Sequence, residues 1–144
     1  MNGEFEPSTR RRDTSWVQGE LATAFENFPT GGLQRLSLDS RYYLTTPEDF
    51  DHIVAEDALS HRYYRRGKFD CENFAFAFKS ICDGRYGLNS VGVLLDYRTR
   101  DTYNVVVYEE GGVDVFDPDA SELIVAGGIG MESAYKIDLG VIIL

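Results

Sequence analysis

The sequence contains few cysteines and no long apolar run. Two cysteines, Cys71 and Cys82, in 144 residues exclude a disulfide framework. On one helix they would lie roughly 16 Å apart, at about 1.5 Å per residue, which is too far for a disulfide bond. No stretch reaches the length of a membrane span, and the N-terminus lacks the apolar run of a signal peptide. We therefore expect reduced thiols, no membrane partner and a cytoplasmic protein without a secretion signal.

Lysine is also scarce, and the net charge is strongly acidic. Only three of the 14 basic residues are lysines, and 24 acidic residues give a net charge of −10. A lysine-poor acidic surface is typical of proteins from a high-salt cytoplasm, because carboxylates hold water where salt screens their repulsion. An ordinary acidic domain is the alternative. Nucleic acid is not expected as the main ligand, since binding phosphates requires a positive field.

The periodicity of apolar residues changes from helical to strand-like along the chain. We predict a polar N-terminal arm over residues 1–14 and a single domain over 15–144. The arm contains the basic cluster Arg10–Arg12, which we interpret as solvated. Helices followed by an antiparallel sheet predict the α+β class. The predicted helices are 15–28, 47–60 with Thr46 as cap, and one beginning near Cys71, and the predicted strands are 91–97, 102–109, 113–116, 123–125 and 135–144.

Residues 69–75, Phe-Asp-Cys-Glu-Asn-Phe-Ala, open the third of these helices. Asp70 is a good N-cap residue, and Glu72 adds the negative charge that first turns favour. The positive end of the helix dipole favours a thiolate at Cys71. The pattern therefore predicts either a nucleophilic cysteine or a small buried residue at a helix start.

A nucleophilic thiol needs a base and a group that orients the base. The strands that follow Cys71 offer Asp101, Asn104 and Asp117 but no histidine. The two histidines, His52 and His61, precede the cysteine in the sequence. We predict His52 to be a helix surface residue, and His61, in the loop before the cysteine helix, is the candidate base for a working thiol hydrolase.

Several short motifs resemble one known family. They are Tyr42-Tyr43, Pro47, the cysteine motif at 69–75, Val91-Gly92, Tyr103-Asn104-Val105 and Phe116-Asp117-Pro118. Over residues 41–144 the chain resembles the papain-like cysteine-protease domain of the Marasmius agglutinin type, found in small lectin-related proteins of phages and bacteria. The resemblance implies a papain-like α+β fold, in which a central helix that bears the cysteine packs on an antiparallel sheet.

The resemblance also implies roles for individual residues. Cys71 matches the nucleophile, Asp117 the acidic member and Asn104 the asparagine, whereas Asp101 stands where the family has its histidine base. A carboxylate with a pKa of about 3.9 is a weak base at neutral pH, and its charge opposes formation of the thiolate. The family resemblance thus implies a degenerate cysteine hydrolase, a pseudoenzyme that keeps the fold without the base.

Three functions follow from these observations. The leading one is a non-catalytic binding or structural protein, encoded by a virus of a halophilic host, that binds other proteins in a virion tail or capsid. The second is a thiol hydrolase, a peptidase or amidase, using Cys71 with a non-standard base. The third is a calcium-dependent interaction module, because Asp114, Asp117 and Asp119 alternate near a strand end and carboxylates bind Ca²⁺. No other cofactor is expected.

Overall fold

The computed structural model describes residues 5–25, 33–57, 71–117, 122–125 and 139–144, with the backbone alone for Cys71 and 122–125. The helices among them are α1 (Thr14–Ala24), α2 (Pro47–Asp57) and α3 (Cys71–Tyr86). The strands are β1 (Arg10–Asp13), β2 (Leu33–Leu36), β3 (Arg41–Leu44), β4 (Val91–Asp96), β5 (Thr102–Val107), β6 (Val113–Asp117), β7 (Glu122–Val125) and β8 (Gly140–Ile143).

The starts of α2 and α3 follow from local sequence chemistry. The backbone N–H of Asp49 donates to Thr46 Oγ1 at 3.1 Å, which confirms the predicted cap of α2. Pro47 occupies the first position of that helix, where no N–H is needed. Helix α3 begins at Cys71 and carries Glu72 in its first turn, as predicted. None of the described helices combines the length and apolar character that crossing a bilayer requires.

A six-stranded sheet in the order β2-β8-β4-β5-β6-β7 forms the centre of the molecule. Strands β4 to β7 are sequential antiparallel neighbours, and β8 inserts antiparallel beside β4. Strand β2 pairs with β8 in parallel. The predicted antiparallel sheet is therefore wrong, because the sheet is mixed. Two parallel strands must be joined by a long crossover connection, so they are not adjacent in the sequence. The alternation of apolar residues within one strand does not indicate whether the neighbouring strand runs parallel or antiparallel to it.

The two faces of this sheet pack against different helices. Alternate residues of β5 separate into the two cores, with Val105 on one side and Val106 on the other. Helix α1 covers the first face, and α2 with α3 covers the second, so β5 is buried along its whole length. The largest fully buried side chains of the described residues are Tyr42, Phe50, Phe74, Phe78 and Phe116.

The basic cluster near the N-terminus belongs to the folded structure. Arg10 to Asp13 form β1, which pairs with β3 in a separate two-stranded sheet. The Arg12 guanidinium lies 4.0 Å from the centre of the Trp16 ring. It also donates two hydrogen bonds, of 3.2 and 2.9 Å, to the backbone carbonyl of Glu109. Arg12 is therefore held by contacts with the domain, whereas Arg10 and Arg11 are exposed to solvent.

Candidate functional site

Cys71 is the first residue of α3, the position at which the helix dipole acts on a thiol. Its side chain lies outside the described residues, and so does the whole of His61. The predicted pairing of this thiol with an imidazole therefore stays a prediction. His52 is exposed on α2, where its ring stacks on Phe5 at 3.8 Å and its Nε2 lies 3.8 Å from Glu56.

Asn104 lies in β5 on the face covered by α3. Its Nδ2 donates to the carbonyl of Ala75 in α3 at 2.8 Å and to the carbonyl of Gly92 in β4 at 3.0 Å. The side chain is fully buried, and its Oδ1 has no hydrogen-bond partner among the described residues. Asn104 thus joins helix and sheet, which gives this residue a structural reason to be an asparagine.

Asp101 and Asp117 lie near Tyr103, which belongs to the core beneath α1. Burial raises the pKa of the Tyr103 phenol, and the charges of Asp101 and Asp117 raise it further. Asp101 is exposed and Asp117 is half-buried. Strand alternation directs Asp117 to the same face as Val115, opposite to the face on which Asn104 meets α3. The described residues therefore divide the predicted set between two faces of the sheet.

The structure does not group the aspartates predicted to bind calcium, Asp114, Asp117 and Asp119, among its described residues. Asp114 Oδ2 accepts a hydrogen bond from Tyr108 Oη at 2.7 Å. Asp114 and Asp117 are three residues apart on β6, so their side chains project to opposite faces. Asp119 lies outside the described residues. Within the part of the chain that the structure describes, no three metal-ligating side chains are grouped around a common point.

A cavity of about 330 Å³ opens between the N-terminal segment and the end of α3. The ring planes of Phe5 and Tyr86 meet at 70° with their centres 6.1 Å apart. The Tyr86 hydroxyl donates to Asp57, and Arg85 binds the same carboxylate at 2.7 Å. The lining residues are Phe5, Glu6, Pro7, Thr9, Arg85 and Tyr86.

The N-terminal wall of this cavity is held in place by hydrogen bonds to other elements. The backbone N–H of Ser8 donates to Asp49 Oδ2 at 2.7 Å, and Ser8 Oγ bonds to Glu109 Oε2 at 3.0 Å. Sequence reasoning missed the cavity because its two walls come from distant parts of the chain. The available signal was the aromatic Phe5 within an otherwise polar N-terminal segment.

Solved structures of similar fold match this chain. One is the PSL1a–E64 complex, with a TM-score of 0.66 at 19% identity. The match covers 91% of this chain and 51% of that chain. Another is a crystal structure of Polyporus squamosus lectin bound to a human-type influenza-binding epitope, Neu5Aca2-6Galb1-4GlcNAc, at TM-score 0.66 and 17% identity. That match covers 91% of this chain and 49% of the lectin chain. The fold of this chain is therefore similar to about half of each of these chains.

These comparisons contradict the family predicted from the short motifs of residues 41–144. No family model matches the sequence, and no curated protein matches it. One matching structure is described as that of a lectin and neither as that of a papain-like cysteine protease, so the predicted papain-like family and fold are corrected to the α+β fold that this chain shares with about half of each matching chain. Acidic residues are favoured at the start of any helix, so an acid–cysteine–acid pattern indicates a helix start and does not identify a protein family. Neither the viral origin nor the halophilic host finds support in these comparisons.

Proposed function

We propose that this chain is a non-catalytic carbohydrate-binding protein. The observation that carries the proposal is the fold match over 91% of the chain to a lectin whose structure holds a trisaccharide. The chain spans about half the length of the lectin chains that it matches. We therefore propose that a chain of this length binds carbohydrate without the other half of those longer chains. The ligand is a glycan, in place of the protein partner predicted from the sequence.

The chemistry of the candidate residues that follow Cys71 supports a role without bond cleavage. No histidine follows Cys71 in the sequence, and the candidate bases there are carboxylates such as the exposed Asp101. A carboxylate at neutral pH is too weak a base to activate a thiol. Asn104 uses its amide to join α3 to the sheet and not to orient a catalytic base.

The test is a binding assay on this chain alone, with immobilised glycans followed by titration in solution. A monosaccharide occupying one site should bind with a Kd on the order of 1 mM, given the small free energy per atom of such ligands. The expected result is saturable binding of at least one saccharide, with no new reducing end or released amine over the same period. A folded chain that binds no saccharide in this range would refute the proposal.

A thiol hydrolase is the second candidate, favoured by the place of Cys71 at the start of α3. Alkylation distinguishes the two thiols, because they should react at different rates. Cys82 is buried, and burial raises the pKa of its thiol, with the charge of Asp83 adding to the shift. Rapid alkylation near neutral pH should therefore report Cys71. Alkylation that is fast in the native protein and lost in His61→Ala would favour the hydrolase over the lectin.

A further inference from the structure

We propose that the cavity between the N-terminal segment and α3 binds one ring of a neutral saccharide. This inference rests on the proposed function and names the site that would carry it. At about 330 Å³ the cavity is at the lower end of the volumes in which proteins hold small ligands. That volume suits a single sugar ring better than a longer oligosaccharide.

Two aromatic side chains in this mainly polar lining suit the apolar faces of a sugar ring. Phe5 and Tyr86 both line the cavity, with their ring planes 70° apart. An aromatic face attracts the slightly positive C–H groups of a pyranose because the face of the ring is electron-rich. Phe5 is held by stacking on His52 at 3.8 Å, and the Tyr86 hydroxyl bonds to Asp57. The rings are thus fixed by neighbours outside the cavity, so little side-chain freedom is lost when a ligand binds.

The polar lining provides hydrogen-bonding groups for hydroxyls. Thr9 carries a hydroxyl and Glu6 a carboxylate, and both side chains are exposed to solvent in the free protein. Thr9 Oγ1 makes a hydrogen bond of 3.3 Å to Pro7 O, which leaves its lone pairs as acceptors. A carboxylate accepts from two adjacent hydroxyls, the arrangement that a sugar ring offers. An apolar ligand would leave these groups unpaired, so the lining selects a polyhydroxylated one.

The charges around the cavity favour a neutral ring over an anionic one. The cationic group in the lining, Arg85, already binds Asp57 Oδ1 at 2.7 Å. Glu6 adds a negative charge to the lining. A ligand carboxylate would meet Glu6 and would compete with Asp57 for Arg85. We therefore infer that a hexose binds more tightly than the corresponding uronic acid.

The experiment titrates the full chain with the methyl glycosides of glucose, galactose, mannose and N-acetylglucosamine, and with glucuronate and galacturonate, by NMR. The pocket variants are Thr9→Val, which removes only a hydroxyl, and Tyr86→Leu, which removes a ring. Thr23→Val is the matched control, because Thr23 is an exposed threonine on α1. Circular dichroism verifies that each variant is folded. Saturation transfer from aromatic protons to the sugar reports ring contact without any mutation.

We expect Thr9→Val to weaken saccharide binding about fivefold and Tyr86→Leu to weaken it by about tenfold or more, whereas Thr23→Val should bind as the parent does. The parent chain should bind each uronic acid more weakly than the corresponding hexose. If the chain binds a saccharide but folded Thr9→Val and Tyr86→Leu both bind as the parent does, the cavity is not the site, although the proposed function stands. A uronic acid that binds as tightly as its hexose overturns the preference for neutral rings. An absence of binding to every saccharide overturns the proposed function itself.

Discussion

The side-chain amide of Asn104 donates a 2.8 Å hydrogen bond to the backbone carbonyl of Ala75, and so ties α3 to the sheet. Ala75 lies in the second turn of the helix that begins at Cys71. The same Nδ2 also bonds to Gly92 in the neighbouring strand, so one buried amide satisfies two carbonyls. The position of the cysteine relative to the sheet therefore depends on Asn104.

Replacement of Asn104 by alanine should destabilise the fold. The substitution removes both hydrogen bonds that the buried Asn104 amide donates, which should lower the free energy of unfolding by about 2 kcal/mol. Urea titration followed by circular dichroism measures this change. Gln34→Ala, at an exposed site of β2, is the control and should change stability by less than about 0.5 kcal/mol. Equal stabilities for the two variants would show that the Asn104 contacts contribute little.

Two glycines should respond in opposite ways to alanine substitution. A β-carbon at Gly140 would overlap the backbone carbonyl oxygen of Leu95, where β8 passes close to β4. Gly140→Ala should therefore destabilise the protein by roughly 2 kcal/mol or more. Gly84 lies in α3 with no atom near its added β-carbon, so Gly84→Ala should raise stability by about 0.5–1 kcal/mol through helix propensity. Thermal unfolding of both variants tests the pair, and a stabilised Gly140→Ala would contradict the close approach of these strands.

Arg10 and Arg12 should differ in their contribution to stability although both are in β1. Arg12 combines the Trp16 ring with two hydrogen bonds to a backbone carbonyl, so Arg12→Ala should lose about 1–2 kcal/mol. Arg10 pairs with Glu110 at 2.7 Å, but the two side chains are 48% and 75% exposed. Arg10→Ala should therefore change stability by less than about 0.5 kcal/mol, and less still in high salt. Denaturant titrations at two salt concentrations separate the two effects. A larger loss at Arg10 would contradict the anchoring role of Arg12.

Stability should fall as the pH rises beyond about 10. Burial raises the pKa of Tyr86 to about 12, and its hydrogen bond to Asp57 adds to the shift. Burial also raises the pKa of Tyr103 and of Tyr108. A tyrosine in the unfolded chain ionises near pH 10, so the unfolded state loses these protons at a lower pH than the folded state does. The stability that the protonated tyrosines contribute below pH 10 is therefore lost as the pH rises towards their pKa values in the folded state. Denaturant midpoints at pH 8, 10, 11 and 12 measure the fall. Midpoints that stay constant through pH 12 would exclude this linkage.

Local sequence signals predicted the local parts of the fold. The Thr46 cap and the start of α3 at Cys71 both depend on neighbouring residues. The parallel pairing of β2 with β8 joins strands that are far apart in the sequence, so no local pattern reveals it. The cavity was missed for the same reason. The family prediction was wrong because short motifs report turns and helix starts that many folds share.

Calorimetric titration of the parent chain and of Cys71→Ala, with the neutral saccharide that binds best, tests the carbohydrate-binding role without catalysis. We expect saturable binding by both proteins, with dissociation constants that agree within about twofold, since the thiol takes no part in recognising the sugar. No saturable binding by the folded parent chain, or binding that disappears when Cys71 is replaced, would contradict a non-catalytic carbohydrate-binding role.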